Sequence, residues 1–229
     1  MIKRLQKIGA LQKYFFKRDG AEQVLIIFSV FSTGLVIARF IHTRELIFLF
    51  LPWNLFLAYL PYLITKWLEK EPGWIENRIR FLSAFFLWIL FIPNSFYIIT
   101  DLFHLRKSTG MPLWFDLALI FSFAWNGIQL GILSVRKMER IIQLVFHQIK
   151  GMLFIFPVMA LNAFGIYIGR YLRFNSWDIL VNPFGLSGEI LYLFIQPLRN
   201  LKDWAMIFCF TLLLMLIYES LKKPGGGFH

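Results

Sequence analysis

Apolar residues in this chain fall in blocks of about 20, which is the length that a helix needs to cross the hydrocarbon core of a bilayer. These blocks occupy residues 23–41, 46–66, 81–100, 113–134, 151–170 and 204–221. A soluble domain has roughly 25% charged residues. This chain has 16% and is 58% hydrophobic. The pattern predicts an all-α fold, a polytopic transmembrane helix bundle with about six spans.

Three segments follow from this pattern. Residues 1–22 mix Lys and Arg with spaced Ile, Leu and Phe, which is typical of a basic helix lying on a membrane surface. Residues 23–221 then form one transmembrane helix bundle, and residues 222–229 form a flexible C-terminal tail. A further apolar stretch at 190–198 is too short to span, and it is predicted to be re-entrant or interfacial.

The distribution of basic residues predicts the orientation of the bundle. Of the 24 Lys and Arg residues, 16 lie in the two terminal segments and in the loops at 66–80 and 135–150. Short loops rich in Lys and Arg stay in the cytoplasm, so both termini are predicted to be cytoplasmic. Because the net charge of +11 is spread over such loops, it indicates contact with the lipid bilayer and its anionic headgroups, and no nucleic acid is expected as a partner.

A polar stripe follows the outward end of the third span. Asn94, Tyr97, Asp101 and His104 are spaced three, four and three residues apart. At about 100° per residue, they fall within roughly 80° of a helix surface. Because polar groups in contact with lipid cost several kcal/mol, we expect the stripe to face the bundle interior or water. Asp101 and His104, at i and i+3, could share a proton or a metal ion.

Other polar residues enter from the same predicted side. Asp116 begins the fourth span, and two arginines end the fifth span. A guanidinium group binds phosphate bidentately, so an anionic lipid or a lipid-linked phosphate is a candidate partner. The predicted substrate-binding residues are Asn94, Tyr97, Arg170, Arg173, Asn175 and Asp178, and Asn54 of the second span joins this outer collection.

The predicted catalytic residues are Asp101, His104 and Asp116, which would supply acid–base or metal chemistry. Carboxylate and imidazole groups bind zinc and other divalent ions, so a divalent metal held by these three is one expectation. No HExxH motif or comparable signature is present. A structural interpretation stays open, in which the acids are helix ends at the headgroup level and the arginines are interfacial anchors.

Small residues and cysteine carry less chemistry. The pairs Gly127/Gly131 and Gly165/Gly169 are typical of close helix packing, either within the chain or in a helix-mediated oligomer. The single cysteine, Cys209, excludes an internal disulfide or a cysteine zinc cluster.

Four long motifs resemble a known family. They are WNLFLAYLP at 53–61, FIPNSFYIITDLFHL at 91–105, PLWFDLALIFSFAWNG at 112–127 and FGIYIGRYLRFNSWD at 164–178. Over roughly residues 40–180 the chain is similar to the bacterial membrane proteins of domain of unknown function 1361. The resemblance implies a bacterial multi-pass membrane protein, and it implies no activity. We expect such a protein in the inner (cytoplasmic) membrane.

Three functions remain open from the sequence. The first is an enzyme whose outer-side polar site acts on an anionic or lipid-linked substrate. The second is a component of a small-solute transporter, because polar residues and proline-broken helices suit a substrate path. The third is a structural or assembly partner without catalysis, in which the glycine pairs mediate helix contacts.

Overall fold

The computed structural model describes residues 20–105, 110–146, 151–174 and 181–222, and these residues form helices without a strand. The helices are α1 (Gly20–Thr43), α2 (Phe50–Lys70), α3 (Pro72–Glu76), α4 (Arg78–Tyr97), a 3₁₀ helix (Ile98–His104), α5 (Leu113–Val145), α6 (Gly151–Arg170), α7 (Pro183–Ile195) and α8 (Leu201–Lys222). The all-α prediction is confirmed for this part of the chain. Residues 1–19 of the predicted basic segment and residues 223–229 of the tail lie outside the described residues.

A long helix covers each predicted span. Of these helices, α1, α4 with the 3₁₀ helix, α5, α6 and α8 are long and apolar enough to cross a membrane, so the chain is a multi-pass membrane protein. The remaining helix, α2, is less apolar because it carries Asn54, Lys66 and Glu69. It has 21 residues, which at 1.5 Å per residue make about 31 Å.

One end of the bundle, which we call the site end, collects the C-terminal ends of α1, α4 and α6 and the N-terminal ends of α2 and α5. There Asn54 of α2 donates a hydrogen bond to Asp101 of the 3₁₀ helix at 3.0 Å. At the opposite end Lys66 of α2 pairs with Glu22 of α1 at 2.8 Å. Helix α2 therefore runs the length of the bundle, and the long helices around the site alternate in direction as successive spans should.

The short helix α7 covers much of the stretch that was predicted to be re-entrant or interfacial. Its 13 residues make about 20 Å, which is shorter than the roughly 30 Å hydrocarbon core. Its Leu193 packs beside Ala163 and Tyr167 of α6, so the helix lies against the bundle near the site end.

The turn of α4 at residues 93–97 is held between two helices that carry glycine. A Cβ placed on Gly131 of α5 would lie 2.7 Å from the Phe96 ring, and one on Gly165 of α6 would lie 2.6 Å from Cβ of Pro93. A Cβ on the other glycine of each pair, Gly127 or Gly169, would also contact this turn. Both pairs therefore allow close helix packing within the chain, as the sequence predicted.

Helix α1 is attached to the bundle through polar contacts at several levels. In its middle, Ser29 accepts a hydrogen bond from Asn126 of α5 at 2.8 Å and lies 2.8 Å from the Tyr59 hydroxyl of α2. Near the site end, Arg39 donates to Asp116 of α5 at 2.8 Å. Lipid tails are as apolar as leucine, so hydrogen bonds and close packing hold such a helix in place where hydrophobic burial cannot.

Candidate functional site

A cleft of about 570 Å³ lies between α2, α4 and α6. Helix α4 packs on both α2 and α6, so it forms the floor of this cleft. The polar lining residues are Asn54, Asn94, Tyr97, Asp101, His104 and Arg170. The apolar lining includes Leu57, Phe86, Ile89, Leu90, Leu161 and Phe164. The polar residues cluster at the site end, so the cleft joins a polar end to an apolar trough that runs along α4 and α6.

The cleft is open on the outer surface of the bundle. Trp53, Phe86 and Leu161 line it, and they remain 53%, 64% and 46% exposed. On a membrane-spanning bundle, apolar side chains that are exposed in this way face lipid. A molecule in the bilayer can therefore reach the apolar trough from the side.

The structure places the four residues of the predicted polar stripe on the cleft: Asn94, Tyr97, Asp101 and His104. The backbone differs from the prediction, because it changes from α to 3₁₀ at Ile98. With three residues per turn, Asp101 and His104 lie directly above one another. The tighter turn extends the stripe beyond the end of α4 toward α2 and α6.

Asp101 lies at the base of the polar end and is only 1% exposed. One carboxylate oxygen accepts the 3.0 Å hydrogen bond from Asn54, and the other lies 3.8 Å from Nη2 of Arg170. The buried carboxylate therefore contacts both Asn54 and Arg170 and helps to hold them in position at the polar end.

Arg170 at the end of α6 is the cation of the cleft. Its Nη2 donates to the backbone carbonyl of Thr100, and its guanidinium lies 5.6 Å from the Tyr97 ring centroid and 5.4 Å from that of Phe103. Two aromatic faces and one carboxylate thus fix the group. Its Nε is buried and has no hydrogen-bond partner among the described residues.

His104 closes the site end of the cleft. Its Nδ1 lies 3.2 Å from Nη2 of Arg170. A guanidinium group has only donors, so Nδ1 must accept and the ring hydrogen lies on Nε2. The imidazole ring is 5.1 Å from the ring of Phe50, the first residue of α2. His104 is therefore oriented by both α6 and α2.

Asp116, which was predicted to converge with Asp101 and His104 in one pocket, does not line this cleft. Asp116 is 1% exposed, and its carboxylate accepts the 2.8 Å hydrogen bond from Arg39, which is also 1% exposed. The guanidinium of Arg39 lies over the Phe48 ring at 4.4 Å from the centroid. The connection between the 3₁₀ helix and α5 is short, but the first turn of α5 directs Asp116 toward Arg39 of α1.

The remaining predicted residues are separated from the cleft or cannot be placed. Arg173 is exposed and does not line the cleft, while Asn175 and Asp178 lie outside the described residues. Within the described ranges, no three His, Cys, Asp or Glu side chains are grouped so that they could hold a metal ion. The divalent-metal prediction therefore lacks its expected ligand set of Asp101, His104 and Asp116.

Comparison with known proteins identifies the family. The family model described as a protein of unknown function, DUF1361, matches residues 53–217, which is most of the chain. The chain belongs to the DUF1361 family. No curated protein and no solved structure matches it.

Sequence reasoning missed two features of this DUF1361 site. Phe50 and Phe174 line the polar end, and no pattern in the sequence distinguishes them among 27 phenylalanines. The pairing of Arg39 with Asp116 did have a signal. An arginine inside a membrane helix needs a counter-ion, and Asp116 is an acid at the matching depth of a neighbouring span.

Proposed function

We propose that this DUF1361 protein binds an amphipathic lipid with an anionic, phosphate-type headgroup in the cleft between α2, α4 and α6. The observation that carries the proposal is the shape of the cleft. One end holds the cation Arg170, and the rest is an apolar trough open to the bilayer. A volume of about 570 Å³ lies within the roughly 300–1,000 Å³ of ligand pockets.

Arg170 is the residue that would contact the headgroup. Its guanidinium can turn from the Thr100 carbonyl toward a phosphate oxygen, which accepts charge-assisted hydrogen bonds. Asn54 and Tyr97 flank the same position with further polar groups. Asp101 would act as a positioning residue, because it lies beneath Arg170 and is covered.

His104 is the group that could add chemistry to binding. It lines the polar end of the cleft, and its Nδ1 lies 3.2 Å from Nη2 of Arg170. If Arg170 turned away from His104 to contact a bound phosphate, Nδ1 of His104 would be able to accept a proton. Catalysis by His104 stays a prediction, and the binding proposal does not depend on it.

Binding of a single-chain lipid phosphate tests the proposal. Lysophosphatidic acid and the matching monoacylglycerol would be compared on purified protein in detergent, by native mass spectrometry. We expect the phosphate-bearing lipid to bind more tightly, and Arg170→Gln to weaken it by about tenfold or more, since a hydrogen bond to a charged group contributes about 1.5–3 kcal/mol.

Arg173→Gln is the matched control, because Arg173 lies just beyond α6, is exposed and does not line the cleft. This variant should leave affinity unchanged. Equal binding of the two lipids, or equal loss in both arginine variants, would show that the cleft does not recognise an anionic headgroup.

A further inference from the structure

A second apolar concavity lies beside the cleft, between α2 and α4, and we call it the side groove. Its volume is about 290 Å³. Its lining is entirely apolar and consists of Leu60, Leu63, Ile64, Trp67, Leu87 and Phe91. Leu63, Trp67 and Leu87 are 49%, 38% and 49% exposed, so the side groove also opens toward lipid.

The side groove adjoins the cleft on both of its helices. On α2, Leu57 lines the cleft and Leu60 lines the side groove. On α4, Leu90 lines the cleft and Leu87 lines the side groove. Residues at i and i+3 are neighbours on a helix surface. The two apolar surfaces therefore meet one helical turn apart on each helix.

The two concavities also lie at the same depth. Ser95 of α4 donates to the Ala58 carbonyl of α2 at 2.9 Å, which fixes the register of these antiparallel helices. Leu63, five residues after Ala58, is thereby level with Leu90, five residues before Ser95. The side groove is thus a second trough next to the trough between α4 and α6, and Leu90 and its neighbours form the ridge between them.

The path from the polar end to the far end of either trough is about as long as one leaflet is thick. From Tyr97 to Phe86 along α4 is about 17 Å, and from Asn54 to Trp67 along α2 is about 20 Å, at 1.5 Å per residue. Half of a typical hydrocarbon core is about 15 Å. A chain that begins at the polar end and follows either trough would reach the middle of the bilayer.

The side groove suits a hydrocarbon chain. Its lining residues are all apolar, and it adjoins the apolar wall of the cleft at Leu57 and Leu90. A chain attached to a headgroup at the polar end can therefore continue along Leu57 into the side groove.

We propose that the cleft and the side groove together hold a two-chain phospholipid, with one chain in each trough and the phosphate at Arg170. This inference rests on the proposed function and narrows its ligand class from any amphipathic lipid phosphate to a diacyl one. Helix α4 separates the two chains below the headgroup, which lies where the two troughs meet at the site end.

A comparison of one-chain and two-chain lipids tests the inference. Dipalmitoyl phosphatidic acid, whose chains are long enough to follow the troughs, and its monoacyl counterpart would be titrated onto the full chain in detergent and followed by native mass spectrometry. We expect the diacyl lipid to bind about fivefold more tightly, because the second chain adds many weak dispersion contacts in the side groove. Leu87→Trp fills the side groove and should lower the diacyl affinity to the monoacyl level.

Leu82→Trp is the control for that variant, since Leu82 is equally exposed on α4 and does not line the side groove. It should leave the diacyl preference unchanged. Equal affinity of the two lipids, or a preference that survives in Leu87→Trp, would overturn the two-chain inference. If both lipids still require Arg170, the proposed function stands and only the second chain is refuted. If Arg170→Gln has no effect on either lipid, the proposed function itself fails.

Discussion

Asp101 and Asp116 are two carboxylates at the same end of one bundle, each 1% exposed, and they have different surroundings. Asp116 meets a buried guanidinium at 2.8 Å, with the Phe48 ring packed on the cation. Asp101 lies 3.8 Å from a guanidinium that also faces an open cleft. The first arrangement is closed and fastens α1 to α5. The second leaves a cation able to exchange its partner for a ligand.

The difference lies in what surrounds the cation. Arg39 is 1% exposed and is enclosed by α1, α5 and the segment before α2. Arg170 has a side chain that is 15% exposed and lines the open cleft. An ion pair in a membrane protein can therefore either hold two helices together or form part of a binding site. The open cleft beside Arg170 distinguishes the second role from the first.

Removal of Asp116 should give the largest effect. Asp116→Ala removes the closer and more deeply buried of the two carboxylates that pair with Arg39, since Glu45 lies at 3.4 Å and is 35% exposed. Breaking one side of a buried pair costs about 3–5 kcal/mol. We expect a large loss of folded protein and a lower melting temperature in detergent. The double variant Arg39→Met with Asp116→Leu removes both charges and should recover most of that stability. Comparable loss in single and double variants would show that shape, and not charge, holds α1.

A glycine substitution should have the next largest effect. Gly165→Ala places a Cβ 2.6 Å from Cβ of Pro93, so α4 and α6 must separate at a cost of about 1–3 kcal/mol. The control is Gly34→Ala in α1, where a Cβ meets nothing within 4 Å. Thermal unfolding in detergent should show a loss for Gly165 and none for Gly34. If both variants had the same melting temperature, the packing of α4 against α6 would not depend on this contact.

Asp101→Asn should act on binding and leave folding largely intact. An asparagine can still accept the hydrogen bond from Asn54, while the polar end loses one negative charge next to Arg170. A charge at this range interacts by a few kcal/mol at an effective dielectric constant of about 20, so lysophosphatidic acid should bind about tenfold more tightly. Weaker binding with normal folding would show that the positioning of Arg170 by the carboxylate outweighs the repulsion between the carboxylate and the phosphate.

The sequence was informative where one physical rule decided the structure. The length of the apolar blocks predicts the long helices, and residue spacing predicts that Asn94, Tyr97, Asp101 and His104 share one surface. The sequence was not informative where the contacts of a side chain depend on how the helices are rotated against one another. Asp116 and His104 are close along the chain, yet the direction of Asp116 depends on how α5 rotates against α1. A count of polar residues also does not reveal an apolar trough, since its walls consist of the same residue types as the lipid-facing surface.

The smallest effects are expected for substitutions of two asparagines, one in the interface between α1 and α5 and one in the cleft. Asn126 is fully buried and donates to Ser29 across α5 and α1, and interhelical hydrogen bonds in membranes contribute about 0.6 kcal/mol on average. Asn126→Ala should therefore lower the melting temperature slightly. Asn94 lines the cleft and donates to the Phe91 carbonyl of its own helix, and we expect Asn94→Ala to change stability less. Its effect should fall on lysophosphatidic acid binding, because the substitution enlarges the polar end and removes an amide from its wall. Both quantities would be measured on both variants in one detergent. If Asn94→Ala destabilised the bundle more than Asn126→Ala and left binding unchanged, the division into a fastened interface and an open binding cleft would be wrong at these two positions.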